Sequence, residues 1–223
     1  MVSPKTMTLE YRAYRKSDAD AVTELLADVF PRHDPPAIAA QLTTAEFASF
    51  VQTLLPQAAN DGLTIVACNA ATGETLGVML ANDGAAGSPD EWSQLSKRFE
   101  PIAGILGELD EMYFAGREPR PGEMLHLYLL GVHDRATGQG VGKELVAQAV
   151  ENGVRKGYRI AYAEATNKIS QGIFRGRGFS ERAQILYRDY LFHGEKTFAG
   201  IADHGGPILM EKVLIESVLS DRR

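Results

Sequence analysis

The sequence predicts an α/β fold built on a mixed sheet, and three observations carry that prediction. Strand-like and helix-like segments follow one another in the order β-α-α-β-β and then β-α-β-α-β-β. An uninterrupted apolar run, Met124 to Val132, suits a strand covered on both faces. Directly after it, a glycine-rich turn with Gly138, Gly140 and Gly142 opens an amphipathic helix. A chain of 223 residues can bury one sizeable core, and nothing in it breaks cleanly in two. Residues 1–223 therefore read as a single domain, with a helical insertion at about 84–122.

The elements follow in order. Thr8 to Tyr14 alternates and is rich in Tyr, which predicts a first strand; Ser17 or Asp18 then caps a helix to about Phe30. The Pro-rich stretch Pro31 to Pro36 stops that helix and predicts a connecting loop. Ile38, Leu42, Phe47, Val51 and Leu54 form one apolar stripe, so a second helix is expected over Pro36 to Leu55. Leu63 to Asn69 and Thr75 to Asn82 read as a hairpin joined by Ala70 to Gly73. Trp92, Leu95, Phe99, Ile102, Leu106, Leu109 and Tyr113 share a helical face, which Pro101, Gly104 and Gly107 interrupt; two short helices are expected there. After the strand Met124 to Val132, a helix is predicted from Gly140 to Arg155, a strand over Arg159 to Glu164 and a helix from Lys168 to Arg177. Strands over Phe179 to Tyr190 and Ile208 to Ile215 complete the list.

Composition narrows the function. Hydrophobic residues at 44% and charged residues at 23% are those of a globular protein, and no apolar run reaches the length a bilayer requires. A formal charge of −6 lacks the positive footprint that nonspecific binding to nucleic acid or an anionic membrane needs. The lone Cys68 excludes an internal disulfide, and no secretory pattern opens the chain, so a cytoplasmic protein is expected, either monomer or homodimer. His133, His193 and His204 show no metal-ligand spacing, and no metal site is expected.

The turn after the apolar strand is the informative segment. Glycines let the backbone approach a ligand closely, and the free N–H groups and dipole of a helix start favour anions. A phosphate-bearing cofactor fits here. A Rossmann or P-loop reading fails, because no Gly-Lys-Ser/Thr ending and no upstream half of a doubly wound sheet is present.

Thr137 to Gly142 resembles the pyrophosphate turn of the GNAT superfamily, Arg/Gln-x-x-Gly-x-Gly/Ala, with Thr137 at the position where Arg or Gln is usual. A second motif of that family, an Asn some distance before a Gly-Phe pair, is matched by Asn167 and Gly178-Phe179. The resemblance implies a mostly antiparallel, twisted mixed sheet flanked by helices on both faces, with acetyl-CoA as co-substrate. It implies cofactor contacts at Leu130, Val132, Thr137, Gly138, Gln139, Gly140, Val141, Gly142 and Asn167.

Acetyl transfer to an amine needs a base for the ammonium, stabilisation of the thioester oxygen and a proton for the departing thiolate. Many GNAT enzymes donate that proton from a Tyr where this chain has Phe174, which reads instead as helix core. The segment Thr166 to Ser170, with Asp189-Tyr190, Gly194-Glu195, Phe198, His204 and Gly206, is similar to the insect-type arylalkylamine N-acetyltransferases. That resemblance implies Thr166 and Ser170 as paired hydroxyls at the site, and Asp34, before Pro35, as a base working through water. His126-Leu127-Tyr128 is similar instead to the vertebrate arylalkylamine enzymes, which makes His126 the competing base, with imidazole poised near neutrality. Strand alternation places His126 and Tyr128 on one face, so both are expected to line one pocket, with His126 as the immediate acceptor and Asp34 orienting it or a water. Phe30, Trp92, Phe99, Tyr113 and Phe114 are available as pocket walls, and Asp110-Glu111 reads as a solvated helix face. The expected substrate is a small primary amine, arylalkylamine-like. Two other readings stand beside it: acetylation of an amino acid, aminoglycoside or polyamine, which acidic residues projecting into the pocket would favour, and a non-catalytic acyl-CoA-binding sensor.

Overall fold

The computed structural model describes residues 8–86 and 95–215; the expectation for Trp92 lies outside them. Seven strands form one sheet in the order β1-β2-β3-β4-β5-β7-β6: β1 (Leu9–Ala13), β2 (Ile65–Asn69), β3 (Thr75–Asp83), β4 (Met124–Val132), β5 (Ile160–Ala165), β6 (Ser180–Gln184) and β7 (Ile208–Val213). Every neighbouring pair is antiparallel except β4 and β5. The expected strand over Phe179 to Tyr190 is shorter than predicted, because after Gln184 the chain leaves the sheet for turns that bury Tyr187 and Tyr190.

Strand alternation sorts the core into two layers. Ile65 and Ala67 pack toward α5 (Val141–Arg155), whereas Val66 and Cys68 pack toward α1 (Ala19–His33) and α3 (Thr44–Asp61). Val154, on the outer side of α5, stays 40% exposed, while Asn152 and Gly153 are buried in that turn.

Three helix expectations are corrected. Pro31 does not stop α1, which runs through it to His33; Pro31 sits in the last turn, and Arg32 Nε donates to Asp28 O there. Asp34 then caps a short helix, α2 (Pro35–Ala39), whose prolines occupy the opening positions that need no donor. The single helix expected from Pro36 is in fact two. Gln41 turns left-handed (φ 53°), and a capping box of Thr43 with Glu46 starts α3 anew. Conversely, Gly104 and Gly107 do not divide α4 (Glu100–Phe114), which is continuous. At Gly104 a Cβ would lie 2.6 Å from the Tyr190 hydroxyl, so a close helix-to-loop contact calls for the glycine. Among the described residues, no helix is long and apolar enough to cross a membrane.

Two irregularities shape the centre. β4 pairs with β5 only from Met124 to His126, opposite Ile160 to Tyr162; beyond that point the strands part and Leu127 to Val132 have no β5 partner. On its other side β4 carries a bulge: Leu80 faces Leu129 and Ala81 faces Leu127, so Tyr128 is the extra residue. The bulge exchanges the faces of the strand. Leu125 and Leu127 pack with the α5 layer before it, and Leu130 and Val132 do so after it, while Tyr128 and Leu129 both join the α1/α3 layer.

Candidate active site

The parted strands open a cavity of about 630 Å³ that reaches from the glycine turn to an aromatic wall. At one end lies the start of α5. Gly138 and Gly140 adopt φ of 78° and 81°, which other residues avoid, and Gly140 has no side chain with which to cap the helix. The leading N–H groups of α5 are thus left without a side-chain partner next to the cavity. Gly142 is required for another reason: a Cβ there would come within 3.1 Å of Ile173 on α6 (Lys168–Arg175).

Of the expected cofactor contacts, Leu130, Val132, Thr137, Gly138, Gly140, Val141, Gly142 and Asn167 line the cavity. Gln139 does not; its amide turns back to donate to Arg135 O at 2.9 Å. Lys143 also lines the cavity and supplies a cation beside the turn, a residue that the motif reading did not single out. Arg135 is engaged in an ion pair with Glu74. Asn167 caps α6, its Oδ1 accepting from the N–H groups of Ile169 (3.0 Å) and Ser170 (2.9 Å). Ser170 Oγ donates to Asn167 O at 2.9 Å and borders the cavity.

At the middle of the cavity, two segments far apart in sequence converge. Thr166 Oγ1 donates to Asp34 Oδ1 at 2.5 Å, and Asp34 Oδ2 accepts from Ala37 N–H at 3.2 Å. Tyr187, fully buried, donates to Thr166 O at 2.8 Å and so fixes the end of β5. Burial drives the Asp34 carboxyl up to about 6, against the opposing pull of the Thr166 and Ala37 hydrogen bonds and of His204. A carboxylate with that affinity takes and releases a proton near neutrality.

His126 lies elsewhere. Its Nε2 meets Glu164 Oε2 at 2.7 Å, its ring stacks on Tyr162 with centroids 4.4 Å apart, and it is not among the residues lining the cavity. The expectation that His126 and Tyr128 line one pocket together is therefore corrected. Tyr128 lines it, re-aimed by the bulge, and His126 stands behind. His126 and Asp34 have different side-chain hydrogen-bond partners, Glu164 and Thr166.

The far wall is aromatic. Phe30 stacks on Phe47 (4.8 Å), and Phe50 packs against Phe47 (5.6 Å), Phe99 (5.1 Å) and Tyr128 (6.2 Å); all five line the cavity. Phe47 was legible only as part of a helical stripe, and Phe50 was not singled out by that stripe. Tyr113 and Phe114 are not walls of this cavity, for they pack on Tyr162 in a separate cluster with Leu109. Phe174, in the place of the usual acid, is 3% exposed and packs edge-on against Phe179, as core. Asp110 is not a solvated residue. It lies within hydrogen-bonding reach of Glu164, and burial and that neighbour push its carboxyl far above the ordinary range. Burial together with Glu164 and Asp110 likewise raises Tyr128, which stays a proton donor at neutral pH.

Residues 95–179 match the family model described as the acetyltransferase (GNAT) family. Among solved structures, the C-terminal condensation domain of Ebony, in complex with beta-alanyl-dopamine, superposes with a TM-score of 0.85 at 11% identity, over 93% of this chain and 100% of that one. Arylalkylamine N-acetyltransferase 2 from Aedes aegypti gives 0.80 at 23% identity, over 93% and 100%. The polyamine N-acetyltransferase of Drosophila melanogaster, which forms N-acetylagmatine, gives 0.72 at 16% identity, over 92% and 100%. The family model is thus seated on the turn and strands of residues 95–179, and along the rest of the chain the protein shares the fold of these acetyltransferases.

Proposed function

We propose that the protein transfers an acetyl group from acetyl-CoA to a small primary amine by direct attack in a ternary complex, with Asp34 as the base. One observation carries this reading: a buried carboxyl raised to about 6, hydrogen-bonded to Thr166, in the wall of the same cavity that the glycine turn opens. A module that only bound acyl-CoA would have no use for a proton acceptor held in that condition.

Acetyl-CoA supplies an activated thioester. The protein's residues fit it at both ends: the uncapped N–H groups of α5 with Lys143 suit a pyrophosphate, and the unpaired edge of β4 from Leu127 to Val132 offers backbone donors and acceptors to an amide-bearing arm. Asp34 takes the ammonium proton, directly or through one water, because at pH 7 a group with an affinity near 6 is mostly ionised. Thr166 holds the Asp34 carboxylate in place. Ser170, in the first turn of α6 and bordering the cavity, is the proton donor for the departing thiolate in this reading, its hydroxyl turning from Asn167 O to do so, since Phe174 has no proton to give. The aromatic wall of Phe30, Phe47, Phe50, Phe99 and Tyr128 suits the hydrocarbon or aryl part of the amine. A cytoplasmic setting matches both the donor and the free thiol of Cys68.

A second reading of the substrate has a specific observation behind it. Glu164 lines the same cavity, which favours amines bearing a further cationic group. The deciding experiment is release of CoA from acetyl-CoA in the presence of a panel of arylalkyl, alkyl and polyamine acceptors. Turnover with one or more of them is expected, and no release with any panel member would refute the assignment.

A further inference from the structure

Glu164 is the last but one residue of β5 and its side chain is 6% exposed, yet it borders the cavity. One oxygen, Oε2, meets His126. The other, Oε1, is buried without a hydrogen-bond donor, and so is Oδ1 of Asp110, whose side chain lies within reach. Asp110 follows Leu106 by one helical turn on α4, and Leu106 also lines the cavity. Two buried carboxyls that face each other cannot both ionise, so in the empty site they share a proton. His126 and Tyr128 from β4 and Tyr162 from β5 are the other titratable groups around the pair. A single shared proton leaves the pair short of donors, and Glu164 borders the cavity, the side from which a further donor can come.

We infer that Glu164, backed by Asp110 and held by His126, is a second recognition point of the acceptor pocket, taking a cationic group at the far end of a diamine-type substrate. The inference rests on the acetyl-transfer reading and narrows its substrate. Thr166 follows Glu164 by two residues, just past the end of β5, and both line the cavity; an extended chain of that length puts Glu164 roughly 7 Å from the Asp34–Thr166 pair. A four-carbon spacer between two nitrogens spans about that distance. The reacting nitrogen then meets Asp34, the spacer lies along the aromatic wall, and the second ammonium donates to Oε1 of Glu164, with Asp110 behind it. The ammonium takes the place of the shared proton, which leaves to solvent. His126 keeps Oε2 engaged, so the free oxygen is turned toward the second cation; it acts as a positioning residue.

The test uses the full chain, acetyl-CoA, and two acceptors with the same four-carbon chain, putrescine and n-butylamine, with phenethylamine as the aromatic arm. In the wild type, kcat/KM for putrescine should exceed that for n-butylamine by about tenfold or more, and Glu164→Gln should collapse that ratio. Calorimetry of putrescine binding to the CoA-loaded protein, repeated in buffers of different ionisation enthalpy, should show release of about one proton at pH 7. Asp110→Asn should abolish that release. A ratio unchanged by Glu164→Gln, a preference for phenethylamine that is indifferent to Glu164, or binding without proton release would overturn the inference. The two readings fail separately. Turnover of n-butylamine with no advantage for putrescine removes the second recognition point and leaves acetyl transfer standing. Putrescine held through Glu164 with no acetylation of any amine removes acetyl transfer and keeps the site.

Discussion

The two halves of the cavity are built from different materials. The half around Thr137 to Gly142 is made of backbone: glycines at positive φ, a helix start without a side-chain cap, and a strand edge without a partner. The half that the proposed acceptor would occupy is made of side chains from distant stretches of sequence: Asp34 after α1, Tyr128 on β4, and Glu164 and Thr166 at and just past the end of β5, with His126 on β4 and Asp110 on α4 behind Glu164. Backbone groups bind a feature that every donor of one class carries. Side chains distinguish acceptors from one another, and a change in any of them alters selectivity without touching the sheet.

This contrast is most directly broken at Asp34. If the acceptor half holds the base, Asp34→Asn should lower kcat/KM by about 10²- to 10⁴-fold, while CoA affinity, set by the other half, stays near that of the wild type. The sign of the pH dependence follows from the raised carboxyl. A base must be ionised to act, so activity should rise with pH through about 6 and fall away below it, and the variant should lose that ascending limb. Loss of CoA binding together with loss of rate would mean that the two halves are not separable as described. Stopped-time assays across pH with calorimetry of CoA read both quantities.

The donor half offers the converse test, with a smaller effect. Gly140 has φ of 81° and open space around its Cα, so Gly140→Val introduces backbone strain rather than a steric clash with the protein. The turn should relax toward negative φ and withdraw its N–H groups, weakening CoA about tenfold for a cost near 1.4 kcal/mol. The pH limb set by Asp34 should remain where it was. Unchanged affinity in this variant would displace the pyrophosphate from the turn.

The same division explains what the sequence disclosed. Local pattern marks Gly138, Gly140, Gly142 and the Asn167 cap, because helix starts and positive φ are decided within a few residues. The order of strands is equally local, down to the hairpin of β2 and β3. The restart of α3 also had a signal, the Thr43–Glu46 capping box, which the longer apolar stripe obscured. Glu164, by contrast, looks like an ordinary polar strand end; its partners lie 38 residues away at His126 and further off at Asp110. The bulge at Tyr128 has no sequence mark in a run of Leu residues, and it undoes the simple alternation that put Tyr128 beside His126. The condition of Asp34 depends on its burial and on Thr166, 132 residues on. Neither burial nor long-range pairing is written in local spacing.

The finest test separates two residues within the acceptor half. The sequence makes His126 the more natural proton acceptor, since imidazole needs no perturbation to work near neutrality. The structure gives its Nε2 to Glu164 and its face to Tyr162, and leaves Asp34 on the cavity with an affinity already moved into the working range. His126→Gln keeps a side-chain amide able to donate to Glu164, so the wall should hold its shape. The expected result is a fall in kcat/KM of less than about tenfold, with the ascending limb near pH 6 still present. Because the two residues have different side-chain hydrogen-bond partners, the double variant with Asp34→Asn should show effects that add, within about 0.5 kcal/mol. A limb that disappears in His126→Gln and persists in Asp34→Asn would move the base to the imidazole. Strong non-additivity would instead join them in one relay, which would require a water between the cavity and the back of Glu164.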